Sequence, residues 1–296
     1  MVAYLSLLFV GLIWGSTFAV IKDSLNNLGP FAILLLRFIV ASAVLYLVIL
    51  KNKLNIRDHL KEGIITGGLQ FLTYVPQVIG LLFTSPTNSA FITGLYVIFI
   101  PSVHLLLNRQ KPKVIEIAAC FVALAGLWIL TGGISGWNIG DMITLGTAIA
   151  IAFYITYSSK VMNMGANPIV FTFHQMWVSA VLSGVGLVIF RQNLITDHLS
   201  AYLSVIYLGL FASALAYLIQ NLMLKKVNLV VASILLSTEP LFALIISWVM
   251  GYEPVQMARL IGGIVMFTAI ILPDVSQSAL FHSLRLAYNQ QTPSHK

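Results

Sequence analysis

Charge is what this 296-residue sequence has least of: Asp, Glu, Lys and Arg together make up 8% of it, against about 25% in a soluble globular chain. A water-soluble fold of this length needs a charged surface to stay dispersed, and 16 basic and 9 acidic residues cannot supply one. Cysteine is nearly absent as well. The lone Cys120 excludes an intrachain disulfide and any Cys-based metal centre. The six histidines, at 59, 104, 174, 198, 282 and 295, are scattered without ligand spacing, so neither a metal nor a cofactor is expected. No GxxxxGK[ST] occurs, which excludes ATP use through this chain's own Walker motif, and HExxH and GxSxG are missing too, so no enzyme is expected. Residues 1–20 carry no basic leader and read as a retained first span.

Apolar residues are abundant, at 59%, and fall into runs long enough to cross a bilayer, for which about 20 residues are needed. Breaks at charges, Pro and Gly divide the chain into ten runs: 2–22, 30–50, 62–83, 87–107, 114–130, 141–161, 167–190, 199–224, 228–251 and 254–273. The net charge of +7 does not gather on one face, as nucleic-acid binding requires. It lies in short clusters between the runs, and such loops stay cytoplasmic. With an internal N-terminus the cytoplasmic set is Lys51, Lys53, Arg57, Lys61, Arg109, Lys111, Lys113, Lys160, Lys225, Lys226, Arg285 and Lys296. Lys22, Arg191 and Arg259 fall on the other side, and Arg37 falls inside a run. Both termini are therefore expected in the cytoplasm, with residues 274–296 as a polar tail.

The chain also resembles itself. Ser42-Ala43-Val44-Leu45 returns as Ser179-Ala180-Val181-Leu182, Tyr74 and Gln77 return as Tyr217 and Gln220, and Lys111-Pro112 is answered by Glu253-Pro254. These spacings agree within six residues and predict two five-helix units, 3–131 and 140–273. Five is odd, so the second copy enters the membrane inverted. The expected fold is an all-α integral membrane protein of ten transmembrane helices built as a five-plus-five inverted repeat.

The motifs in order are Trp14-Gly15-Ser16-Thr17-Phe18, Arg37-Phe38, Ala90-Phe91-Ile92-Thr93-Gly94-Leu95-Tyr96 through Pro101, and Glu239-Pro240. Over residues 3–273 the sequence resembles an EamA-type member of the drug/metabolite transporter superfamily. That resemblance implies ten helices around a central cavity lined by the first to fourth and sixth to ninth, with the fifth and tenth at the periphery. One departure is visible: the acid expected after the fourth helix is missing at Asn108-Arg109-Gln110, whereas Gly251-Tyr252-Glu253 keeps it.

Polar side chains inside apolar runs cost free energy unless they face protein or water, so they mark a cavity independently of any family. Gln70, Tyr74 and Gln77 share a helix face, and Ser213, Tyr217 and Gln220 repeat the stripe; they either bond helices together or touch a solute. Arg37 costs about 2.5–3.5 kcal/mol near a helix centre. It either ties helix ends or an acidic partner, or recognises an anion. Its counterpart His174 either titrates or packs. Trp14, Tyr96, Tyr154 and Trp177 lie away from the interfacial belts, where rings with polar tips suit amphiphilic ligands or simple packing. Together with Thr17, these residues form the candidate cavity. Glu239 before Pro240 is either a neutral group bonded to loosened backbone or a proton- or cation-sensitive gate. Pro76 and Pro101 free the carbonyls of Leu72 and Val97 and supply further candidate hinges.

The expected activity is secondary transport of a small amphiphilic solute such as an amino acid across a bacterial inner membrane. A non-transporting polytopic scaffold is the alternative. A small-molecule substrate and the lipid bilayer are the expected partners, and a homodimer is left open.

Overall fold

The computed structural model describes residues 1–131, 138–249 and 260–272. Among them every regular element is helical. The helices are α1 (Val2–Ser24), α2 (Pro30–Lys51), α3 (Leu60–Gly80), α4 in two pieces (Pro86–Gly94 and Tyr96–Asn108), α5 (Val114–Thr131), α6 (Ile139–Asn163) and α7 (Pro168–Ile189). They continue with α8 (Leu199–Leu224), α9 in two pieces (Leu229–Leu236 and Glu239–Val249) and α10 (Leu260–Leu272). The residues at 250–259 and 273–296 lie outside the described set, and with them Gly251, Tyr252, Glu253, Pro254, Arg259, the tail, Arg285 and Lys296.

Local chemistry accounts for the starts. Pro30, Pro86 and Pro168 each open a helix, where a missing N–H costs nothing. Ser85, Asn138, Asn167 and Asn228 each accept a hydrogen bond from a first-turn N–H, and Asn138 with Asp141 completes a reciprocal capping box.

Among the described residues seven helices are long and apolar enough to cross a membrane: α1, α2, α4, α6, α7, α8 and α9. The others differ for identifiable reasons. Helices α5 and α10 are apolar but shorter, over Val114–Leu130 and Leu260–Leu272. Helix α3 has the length but carries Thr66, Gln70, Thr73 and Gln77, all buried against its neighbours.

The molecule is a multi-pass membrane protein with its polarity inside and its apolar side chains outside. Phe9, Leu47, Leu106, Phe121, Val188 and Ile264 are exposed, while Gln175, Ser183 and Asn221 are buried. Interhelical bonds take up that polarity: Asn221 Nδ2 donates to Gln175 Oε1 (3.0 Å) and Thr172 Oγ1 (2.9 Å), and Ser179 Oγ donates to the Gly67 carbonyl (3.0 Å).

The bundle has two chemically distinct ends. At one, Asp58 accepts from the Asn167 N–H, Lys225 donates to the Ala166 carbonyl, Lys160 to that of Leu107, and Asn228 to Glu116. These bonds gather the 52–59, 109–113, 164–167 and 225–228 loops, with most of the chain's lysines and arginines. At the other, Lys22 donates to the Leu81 and Thr84 carbonyls and so satisfies the C-terminal end of α3, and Thr84 Oγ1 donates to Asp141. There Gln192 Oε1 accepts the Phe31 and Ala32 N–H groups at the start of α2. Helices α2 and α7 run antiparallel, with Phe31 stacked on Phe190 at one end and Tyr46 on Phe173 at the other.

Candidate functional site

A narrow cavity of about 40 Å3 opens in the middle of the bundle. Its wall is built by three helices from each half: Trp14 and Thr17 on α1, Thr73, Tyr74 and Gln77 on α3, Thr93 and Tyr96 on α4, then Thr147, Ile151, Tyr154 and Ile155 on α6, Tyr217 and Gln220 on α8, and Leu236 and Glu239 on α9. Helices α2 and α7 do not contribute to this wall, contrary to what the family resemblance implies. They pack on each other behind it.

The two tyrosines that the internal resemblance pairs, 143 residues apart, meet at the cavity: Tyr217 Oη donates to Tyr74 Oη at 2.8 Å. Trp14 tilts against Tyr217 with ring centroids 4.9 Å apart, and Tyr154 meets Tyr217 edge-on at 5.7 Å. Trp14 Nε1 donates to the Ala212 carbonyl (2.9 Å), and Tyr96 Oη to that of Ser233 (2.9 Å). Hydrogen bonds thus hold Trp14, Tyr96 and Tyr217 by their polar tips, whereas Tyr154 Oη has no partner among the described residues.

Both α4 and α9 are interrupted beside the cavity. Helix α4 breaks at Leu95, where Leu95 N–H bonds to Ile92 and Ile98 N–H to Leu95 in tight i to i+3 fashion. Helix α9 breaks at Ser237 and Thr238, with the same pattern in Thr238 N–H to Leu235 and Leu241 N–H to Thr238. Helical pieces restart at Tyr96 and Glu239, and both line the cavity. Pro240 has no N–H for the Leu236 carbonyl, but it stands second in a new helix and so costs that helix nothing. The α4 discontinuity precedes Pro101, which lies inside an unbroken piece, and Pro76 lies inside an unbroken α3.

Glu239 is 7% exposed, and among the described residues no hydrogen bond or ion pair reaches its carboxylate. Gly15 explains its approach to α1: a Cβ there would stand 2.6 Å from the Glu239 carbonyl oxygen and 2.9 Å from Ala243 N. Only glycine lets the two backbones come this close.

Arg37 is fully buried one layer behind the wall. Its guanidinium carbon stands 4.4 Å from the Tyr74 ring centroid, Nε donates to Ser213 Oγ (3.0 Å) and Nη2 to Tyr74 Oη (3.4 Å), while Nη1 has no partner. No carboxylate pairs with it among the described residues. Ser213 is delivered by a π-helical turn, Leu208–Leu215, within α8. There a Cβ on Gly209 would come 2.6 Å from Val40 Cβ and 2.8 Å from the Arg37 carbonyl, so the absence of a side chain lets α8 lie on α2.

Gln70, His174 and Trp177 lie away from the cavity. Gln70 Nε2 faces Met176 Sδ at 3.9 Å. His174 Nε2 lies 2.8 Å from the Ile56 carbonyl, and Trp177 Nε1 donates to His174 Nδ1 at 2.9 Å, tying α7 to the basic-end loop. Pro101 lines a basic-end cleft, and Pro240 a small crevice with Thr87 and Leu130. Thr73, Thr93, Thr147, Ile151 and Ile155 line the cavity without having stood among the sequence candidates. The i, i+4, i+7 stripe of Thr147, Ile151 and Tyr154 was the available signal for α6.

Comparison with known proteins decides the family, since its description, EamA-like transporter family, matches residues 1–132 and again 138–273. The chain belongs to the EamA-like transporter family. It is 30% identical to an uncharacterized transporter of Archaeoglobus fulgidus over 270 residues, covering 91% of this chain and 85% of that one. It is 25% identical to the uncharacterized inner membrane transporter YedA of Escherichia coli K12, covering 88% and 87%. A crystal structure with 18% identity superposes with a TM-score of 0.77 over 94% of this chain and 98% of the other, a likeness of fold. The cavity, walled by both matched halves of this membrane transporter, is its candidate solute site.

Proposed function

We propose that this EamA-like transporter is a secondary carrier that exports or exchanges small amphiphilic metabolites, amino acids being the first class to test, by alternating access between two inverted five-helix halves. The carrying observation is the pair of helix discontinuities at the cavity, one in each half, at Leu95 and at Ser237–Thr238. Broken helices at matching positions of the two halves are where carriers of this design bind their solute and bend. The antiparallel course of α2 and α7 supports the inversion, and halves of similar shape would give outward- and inward-open states of similar energy.

In this reading α3, α5 and α10 also cross the membrane and the basic end faces the cytoplasm of a bacterial inner membrane. Reporter fusions at Lys53, Arg109, Lys160 and Lys225 then read cytoplasmic, and those near Ser85 and Gln192 periplasmic. Reversal at two or more sites ends the topology. For function, purified protein in liposomes should take up members of a metabolite panel above protein-free vesicles and show counterflow when preloaded. Absence of flux across a broad panel favours a non-transporting scaffold instead.

A further inference from the structure

The cavity wall is asymmetric in charge. Among the described residues its lining contains one carboxylic acid, Glu239, and no lysine, arginine or histidine. The carboxylate has no hydrogen-bond donor and no counter-cation among the described residues, although it is almost wholly enclosed. A carboxylate taken out of water without a partner is costly and otherwise takes up a proton, so a cation brought into the cavity would be what stabilises its charged form. The nearest fixed positive charge known to touch the wall is the Arg37 guanidinium. It lies behind the wall, donating to Ser213 Oγ and to the Tyr74 hydroxyl, with Nη1 unpartnered among the described residues.

Trp14, Tyr96, Tyr154 and Tyr217 line the same cavity as Glu239. Aromatic faces attract cations through the ring quadrupole, and they exclude water, which strengthens that attraction. A free carboxylate on a solute would meet the reverse: one acid of like charge, π-faces that repel it, and no cationic side chain in the lining.

We infer that the central cavity recognises a solute through a cationic nitrogen, a protonated amine or a quaternary ammonium, held against Glu239 and boxed by the aromatic rings, and that it prefers such solutes to the corresponding zwitterions and acids. This rests on the carrier reading for its physiological meaning, but binding can be measured without flux. Thr147 and Gln220 also line the cavity, and their Oγ1 and Nε2 lack hydrogen-bond partners among the described residues.

The test uses the full chain in nanodiscs and three probes of one shape: phenethylamine, phenylalanine and phenylpropionate. Affinity is read by displacement of a quaternary ammonium fluorophore and by ligand-induced shift of the unfolding midpoint. The expected order is amine, then zwitterion, then acid, with at least tenfold between the first and last. Glu239→Gln should shrink that ratio to less than threefold, and Arg37→Gln should leave the order unchanged. An acid bound as tightly as the amine by wild-type protein overturns the inference, whether or not the variants fold. So does a Glu239→Gln variant that folds and keeps the full ratio. If the amine binds in the expected order but no probe is moved in liposomes, the site assignment stands and the carrier reading falls. If solutes are moved but the order is reversed, the carrier reading stands and this inference falls.

Discussion

The two halves of this transporter carry the same packing plan and different chemistry. Tyr74 and Gln77 on α3 match Tyr217 and Gln220 on α8 in identity and position, and all four line the cavity. Where the first half restarts its broken helix with Tyr96, the second restarts with Glu239. Where α2 buries Arg37 behind the wall, α7 places His174 against a loop carbonyl. Residues that set helix spacing and pair across the centre are shared, whereas each charged residue near the cavity occurs in one half only. A duplicated frame thus carries a cavity whose chemistry differs between its two halves.

The largest effect should come from breaking the closest backbone contact. Gly15→Val places side-chain carbon against the Glu239 carbonyl and Ala243 N, both main-chain atoms that cannot rotate away. It should cost about 3 kcal/mol or more, seen as loss of monodisperse protein or a collapsed unfolding midpoint. At the spacing that separates Ser42 from Ser179, Gly15 answers to Ala152 of α6, fully buried yet already carrying a Cβ. Ala152→Gly should cost only about 1 kcal/mol through helix propensity. Equal, mild costs for Gly15→Ala and Ala152→Gly would dissolve this difference between the halves.

Next in size is the exchange of charge at the helix breaks, offered as a hypothesis from the unpaired Glu239. If that carboxylate takes up and releases a proton during the cycle, Glu239→Gln should flatten the pH dependence of net flux while folding persists. Tyr96→Phe, at the matching position, loses only its bond to Ser233 and should keep the wild-type profile. A Glu239→Gln protein with normal flux and an unchanged profile rules out the coupling role.

A smaller effect separates the two central tyrosines. Tyr217→Phe removes one hydrogen bond, worth about 1 kcal/mol, whereas Tyr74→Phe removes that bond and the acceptor of Arg37 Nη2. Tyr74→Phe should therefore be about twice as costly in unfolding measurements. The double variant should fall short of the sum by about the shared bond, and strict additivity would show the two hydroxyls to be uncoupled.

Much of this was legible in the sequence because it rests on pattern. Apolar runs and basic clusters mark the membrane-embedded helices and the two ends, and repeated Tyr and Gln at helical spacing mark a wall of the cavity. What stayed hidden depends on three-dimensional approach. Arg37 reads as a cavity residue because its cost in an apolar run is obvious, but the π-helical turn that brings Ser213 to it contains no proline and no breaking pattern. His174 and Trp177 have the composition of a ligand wall, and it is their bond to each other and to the Ile56 carbonyl that binds them to the loop instead. The α4 break at Leu95 is likewise unmarked, since the visible proline, Pro101, lies further along an unbroken piece.

The smallest expected effect compares the ends of the bundle through Asp58. This carboxylate lies in the loop before α3, accepts the Asn167 N–H at 2.7 Å and stands 3.0 Å from His59 Nδ1. Burial pushes its carboxyl up, but the Asn167 bond and the neighbouring His59 and His174 together outweigh that and hold it below the ordinary carboxylate value. A carboxyl depressed in the folded state contributes stability that is complete above its unfolded value, near pH 4, and is lost as pH falls through the lower folded value. The side chain is 31% exposed, so the contribution should be under about 1 kcal/mol. Asp58→Asn should therefore lower the unfolding midpoint slightly at pH 7, and its curve should converge with the wild type below about pH 4. A gap that persists or widens in acid would mean that the loop is held at the start of α7 by contacts other than this carboxylate, and that the basic end owes its closure to Lys225 and the Ala166 carbonyl instead.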